Sequence, residues 1–190
     1  MKKYIVIILI SIITFSLVSC TSEKPTDVDV GNENNIVEDE NNNSSETISD
    51  VNKKNVVLYF ANNEYVETGN DDLEHVLPEE RLIEYNDISL EEAVVRELMK
   101  GPESSELGNS IPDTVELLGV EVRNKTAFVD FAQEGLNGCS LQEDLTISQI
   151  VNSLLELDYV DKVQFLIEGE KAESLMGHFD IMEPFDSKLE

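Results

Sequence analysis

The sequence predicts an α+β fold, a mixed β-sheet with two helices packed on one face, preceded by a disordered tether. Three observations carry this expectation. Two apolar-patterned runs flank Asn124-Lys125, two stretches begin with Ser-x-x-Glu and continue at helical spacing, and residues 21–54 carry only isolated apolar side chains. The order strand, extended segment, helix, hairpin, helix, strand is that of a sheet with helices layered against it. A folded part of about 135 residues is long enough to bury a core of its own.

The hairpin lies within Ile111–Phe131, IPDTVELLGVEVRNKTAFVDF. Asn tolerates positive φ, which a two-residue type I′ turn requires, so Asn124-Lys125 reads as the loop. That loop pairs 123 with 126, 122 with 127, 120 with 129 and 118 with 131. Leu118, Val120, Val122, Ala127, Val129 and Phe131 then share one face, with Glu121 and Asp130 on the other.

Upstream, order is expected to begin at Asn55. Val56-Val57-Leu58-Tyr59-Phe60 is apolar on both faces and reads as a central strand. A polar stretch runs through Asp72. Val76–Tyr85 reads as an extended segment with a short strand at Arg81–Tyr85, because Pro78 excludes a central strand at its own position. The first helix is framed by Ser89 with Glu92 as a capping box. Leu90, Val94, Val95, Leu98 and Met99 form its apolar stripe, and Glu92 and Arg96 are spaced for an i,i+4 pair. Gly101-Pro102 stops it.

Downstream, Ala132–Gly138 reads as a loop. Ser140 and Glu143 repeat the capping-box spacing, and Leu141, Leu145, Ile147, Ile150, Val151, Leu154 and Leu155 give a second helix ending near Asp158. Lys162–Ile167 is a strand with Val163, Phe165 and Ile167 on one face, and Glu168–Lys171 is a turn. The tail carries Leu175, Phe179, Ile181 and Phe185, enough apolar surface to pack across the domain.

The charge balance narrows the functions. Forty acids against thirteen bases leave a net charge of −27. Nucleic acid is excluded as a partner because binding phosphates needs clustered Lys and Arg. Docking a basic surface on anionic lipid is excluded on the same ground.

Two cysteines cannot make a disulfide framework. Cys20 ends a leader-like segment: Lys2 and Lys3 are followed by the uncharged run Tyr4–Val18, of the length of a secretory signal rather than a membrane span. Leu17-Val18-Ser19-Cys20 resembles the bacterial lipobox, in which the cysteine thiol is acylated and becomes the mature N-terminus. Residues 1–19 are thus expected to be a lipoprotein signal peptide, and Cys20 a lipidation site carrying diacylglycerol and palmitate-type chains. Two or more acyl chains hold a protein to a bilayer where one does not. Residues 20–54 are rich in Asn, Asp, Glu and Ser and cannot bury enough surface to offset chain entropy. As a disordered tether they would reach roughly 30–35 Å. The domain then covers 55–186, with 187–190 as a tail.

Candidate chemistry is sparse. No GxSxG, HExxH, P-loop or GxGxxG pattern is present. His75 stands among Asp71, Asp72 and Glu74, which would need to converge on a rigid scaffold to bind Ca²⁺ or Zn²⁺; a solvated loop is expected instead. His178, beside Gly177 and Asp180, reads as a surface residue. Asp130 closes a strand beside Phe128 and Phe131, where a raised pKa could make it a base, but capping backbone donors of the following loop is the expected role. Cys139 opens a helix, where a thiol pKa can fall; a partly buried, inert thiol is expected. No catalytic residue, cofactor or metal is assigned.

Five segments together resemble one known family. They are Glu97-Leu98-Met99-Lys100-Gly101-Pro102, Ile111-Pro112-Asp113-Thr114, Ala127-Phe128-Val129-Asp130-Phe131, Gln149–Leu154, and Val160–Phe165 with Gly169. Their order and spacing are similar to the GerMN (Germane) domain across roughly Val56–Pro184, in one copy. That family occurs on bacterial envelope lipoproteins, including the sporulation and spore-germination lipoprotein from which its name comes. The resemblance implies a fold like the ring-building motif, a βαββα core plus a further strand. It also implies a non-enzymatic domain that docks on other envelope or membrane proteins. The expected function is a membrane-anchored, extracytoplasmic interaction or assembly module of a Gram-positive cell, in sporulation or germination. The alternative is a cell-wall lipoprotein that binds ligands or hydrolyses peptidoglycan.

Overall fold

A computed structural model describes residues 52–190. The signal segment, Cys20 and the tether up to residue 51 lie outside the described residues. Strand β1, Asn52–Asn62, begins three residues before the expected onset at Asn55, because Lys53 and Lys54 pair with Glu84 and Ile83. Val56, Leu58 and Phe60 are buried on one face of it.

β2 is Val76–Tyr85, a full-length antiparallel partner of β1 rather than a short strand at Arg81–Tyr85. Pro78 sits opposite Tyr59, whose amide donates instead to Ser153 Oγ at 2.8 Å. That amide therefore points away from β2. The pair is a non-hydrogen-bonded one, and an edge strand loses nothing at Pro78. The polar stretch between them contains a helix that propensity alone did not reveal, α1, Asn63–Thr68. Asn62 caps it through an amide from Glu64 at 3.1 Å, and Gly69 ends it at φ +62°.

α2 is Leu90–Lys100, as the pattern predicts. The Glu92 amide donates to Ser89 Oγ at 3.3 Å, Arg96 pairs with Glu92 at 2.7 Å, and Gly101 takes φ +87°. Ala93, Val94, Val95 and Leu98 are buried. Beyond it, Arg81 bonds Glu79, and its guanidinium donates to Gly101 O at 3.1 Å. Glu79 in turn accepts the amides of Glu103 and Ser104 at 3.0 and 3.1 Å. Burial alone would raise the Glu79 carboxyl, but the Ser104 amide and Arg81 outweigh it and hold the pKa below the usual carboxylate value. This cluster ties the α2 exit and residues 103–104 to the β2 edge, and the two-residue strand β3, Leu107–Gly108, then pairs with the end of β1.

The hairpin forms as expected, with β4, Leu117–Arg123, and β5, Thr126–Phe131. Asn124 and Lys125 take φ +50° and +64°, and 123/126, 122/127 and 120/129 pair as the loop dictates. One expectation fails at its far end. A bulge between Leu117 and Gly119 sets Leu117 opposite Phe131, so Leu118 turns outward at 48% exposure while Leu117 is buried. One extra residue flips the face of everything beyond it.

α3 is Ser140–Leu154. It ends before Asp158, with turns carrying the chain to β6, Lys162–Ile167, which runs parallel to β5. Parallel neighbours need a crossover of a dozen or more residues, and α3 supplies it. The capping box expected at its start is absent. Cys139 occupies the N-cap without a side-chain bond, and Glu143 is fully buried elsewhere. Its carboxylate accepts the amides of Leu175 and Met176 at 2.9 Å and of His178 at 2.8 Å.

The class is α+β, but the strands divide into two three-stranded sheets, β2-β1-β3 and β4-β5-β6. The reason lies at the free edges. The side of β1 away from β2 is covered by α3 through Ser153, and the free side of β6 is covered by the tail through Val163 and Phe185, paired at 2.8 Å both ways. Neither edge can accept the other sheet. α2 touches β1 and β2 of one sheet and β4 of the other, and α3 packs on β1 and α2. A single core joins Leu58, Phe60, Val94, Leu98, Val129, Phe131, Ile150, Leu154, Phe165 and Ile181. The described residues, 52–190, lie in one compact unit that contains all of it.

Replacing Glu143 with Ala strips a buried acceptor from three amides, each worth ~1–3 kcal/mol when orphaned. Urea unfolding of residues 47–190 is expected to show a loss of at least about 3 kcal/mol, with a smaller loss for Glu143→Gln. Amide exchange should accelerate first at 175–178.

Candidate functional site

The residues that sequence reading singled out do not converge. Asp130 accepts the Gly169 amide at 2.9 Å. It thus caps a backbone donor, as expected, though in the turn after β6 rather than in the loop after its own strand. Cys139 is exposed rather than partly buried, because the N-cap of α3 projects from the surface. His178 is exposed, with Nε2 3.2 Å from Gly138 O.

His75 has the most structured surroundings. It ends the loop after α1, and its ring stacks on Tyr65 at 4.0 Å between centroids. Its Nδ1 lies 3.6 Å from Asp144 Oδ2, on the first turns of α3. That is an ion-pair distance but too long for a hydrogen bond, and Nδ1 has no hydrogen-bond partner. Burial raises the Asp144 pKa above the usual carboxylate value, with His75 pulling the other way. The Tyr65 phenol is raised by burial first, then by Asp144 and Asp71. A cavity of about 630 Å³ adjoins this cluster, lined by 71–76 and 188–190.

In Ser–His and Cys–His catalysis a His–Asp pair orients the ring toward a serine or cysteine nucleophile. The cavity lining contains neither. Among the described residues no three His, Cys, Asp or Glu side chains stand close enough to hold a metal ion. Asp71, Asp72 and Glu74 flank His75 in sequence without enclosing a shared point. The cluster packs the α1–β2 loop onto α3.

A second network lies nearby. Lys188 bonds Glu156 and donates to Tyr59 Oη at 2.8 Å, and Tyr59 Oη donates to Glu156 at 2.9 Å. Asn152 accepts the Leu189 amide at 2.8 Å and donates to its carbonyl at 2.9 Å. These contacts fix the chain end against α3. Sequence reading missed both this network and the role of Glu143. The available signal was the polar run Thr146, Ser148, Gln149, Asn152 and Ser153 inside an otherwise apolar helix.

With the geometry in place, the family model named Germane, described as sporulation and spore germination, matches residues 57–173. The chain belongs to the Germane family. The segments that pointed to the GerMN domain are structural: Gly101 ends α2, Ile111 is buried, Val129 and Phe131 line the core, and Gln149 bonds the Ser110 amide at 2.9 Å. The chain is similar in fold to the first GerMN domain of the sporulation protein GerM from Bacillus subtilis. The TM-score there is 0.56 and the identity 16%, over 71% of this chain and 96% of that one. Against the tandem GerMN domains of the same protein the TM-score is 0.53 and the identity 22%, over 72% of this chain. It spans 45% of that tandem chain, about half. A chain assigned as a lipoprotein from Clostridium perfringens is matched at 20% identity and TM-score 0.46, over 72% and 87% of the two chains. No curated protein matches.

Because burial makes ionised Asp144 costly, the stability tied to its protonated form is present at low pH and lost as pH rises through its raised pKa. Asp144→Asn is therefore expected to stabilise the domain at pH 7 by up to about 1 kcal/mol. The gain should vanish below pH 4. Urea titrations at the two pH values check the sign.

Proposed function

We propose that this protein is a lipid-anchored extracytoplasmic lipoprotein whose GerMN domain is a non-catalytic interaction module serving sporulation or spore germination. The match of the Germane family model to residues 57–173 carries the reading. The anchor is Cys20, which lies outside the described residues, and the support for it is the LVSC pattern after an uncharged run. No helix among the described residues is long and apolar enough to cross a membrane.

The geometry fits a docking role. Backbone donors are tied inward by Glu143, Asn152, Ser153 and Gln149, so the fold presents a fixed outer surface to other envelope or membrane proteins. A rigid partner loses less conformational entropy on binding.

Removing the protein from its source cell is expected to lower the yield of heat-resistant spores or slow their germination. Wild type should restore the phenotype and Cys20→Ala should not, with the variant protein leaving the membrane fraction. Full activity of an unanchored Cys20→Ala protein would discard the lipoprotein reading.

Purified residues 47–190 are expected to leave muropeptides intact. Turnover that disappears with Asp130→Ala would replace the interaction reading with the hydrolytic one.

A further inference from the structure

Two exposed apolar side chains, Val66 and Leu141, 44% and 36% exposed, line one groove. It holds about 280 Å³ between the end of β1, β3, α1 and the first turns of α3, with Ala61 and Leu145 in its floor. Nothing in α1 is buried. The helix is instead held by its two caps, by the Tyr65–His75 stack and by Asn63, whose amide and side chain donate to Glu106 O and Ser105 O at 3.2 Å. Val66 is thus fixed in place without being part of the core. A β-branched side chain kept at a solvated, immobilised position offers apolar surface at little further entropic cost on binding.

The charge lies in the neighbouring groove, since the first groove's own lining carries no charged side chain. A second groove shares Asn63 with the first and is bordered by Glu64, Glu67, Asp72, Glu74 and Glu106. The ion pairs among the described residues use none of these five carboxylates. Some acids elsewhere do meet a cation: Glu79, Glu97 and Glu103 meet Arg81, and Glu156 meets Lys188. An apolar floor beside five unmatched carboxylates is complementary to apolar side chains flanked by cations.

We propose that the α1–α3 groove docks a segment of another envelope protein in which apolar residues are flanked by Lys or Arg. This rests on the reading of the domain as an interaction module and names the partner's chemistry. A second copy would bring the same acids to the same rim and be repelled. An anionic bilayer would be repelled likewise.

The test titrates a short leucine–lysine peptide and a leucine–glutamate counterpart into residues 47–190, followed by calorimetry. The basic peptide is expected to bind, more weakly as salt rises, and the acidic one not to bind. Leu141→Asp places a carboxylate in the first turn of α3, and Glu67→Lys a cation near the end of α1; both suit the helix dipole, so the fold survives. Each should weaken the basic peptide about tenfold or more. Glu84→Lys, at the opposite end of β1 and ~25–30 Å away at strand rise, is the control and should change little. Equal weakening by Glu84→Lys would mean general attraction to an acidic protein and overturn the proposal. So would binding untouched by Leu141→Asp, or self-association that Leu141→Asp abolishes. Any of these leaves the module reading standing, since that reading falls only on its own spore and muropeptide tests.

Discussion

α3 is enclosed on nearly all sides from Leu145 to Leu154, and every polar group it carries inward must find a partner or cost the fold several kcal/mol. The rest of the domain depends on how that constraint is met. Thr146 donates to Ser110 O at 2.8 Å, and Gln149 accepts the Ser110 amide. Ser153 takes the Tyr59 amide and donates to Gln149 O at 2.7 Å. Glu143 gathers three amides of the 175–178 segment, and Asn152 holds Leu189. Three irregular stretches, 109–111, 175–178 and the end of the chain, are thereby ordered by one helix. Ser148 Oγ alone on this surface lacks a hydrogen-bond partner.

The same constraint sets the architecture. A helix that satisfies the free edge of β1 blocks the sheet from growing past it, except where β3 pairs Ala61 and Asn62. The remaining strands must then form a second sheet, closed on its far side by the tail through Val163 and Phe185 and by the edge-to-face contact of Phe165 and Phe185. α2, touching both sheets, completes the core that joins them. The tail covers the free side of β6, while β2 and β4 remain the outer strands of their sheets.

Much of this was legible. The type I′ turn at Asn124-Lys125 could be read because local sterics alone decide which residues tolerate positive φ. α2 could be read because its caps, stripe and stop all lie within a dozen residues. The 117–119 bulge could not, since alternation runs equally well through Leu117 or Leu118 and only packing against the core chooses. Glu143 was misread for a related reason: Ser-x-x-Glu is a local pattern, and the competing acceptor role comes from amides more than thirty residues away. Asp144, Tyr65 and His75 meet only because a loop folds over a helix that begins 65 residues later.

The sequence by itself determined the α+β class, the positions of α2, α3 and the hairpin turn, the strong acidity, and the family. Each of these rests on short-range sterics or on composition. The division into two sheets, the burial of α3 on all sides and the apolar groove beside unmatched acids were decided by tertiary structure alone. They depend on which long-range partner satisfies each buried polar group, and a local pattern holds no record of that choice.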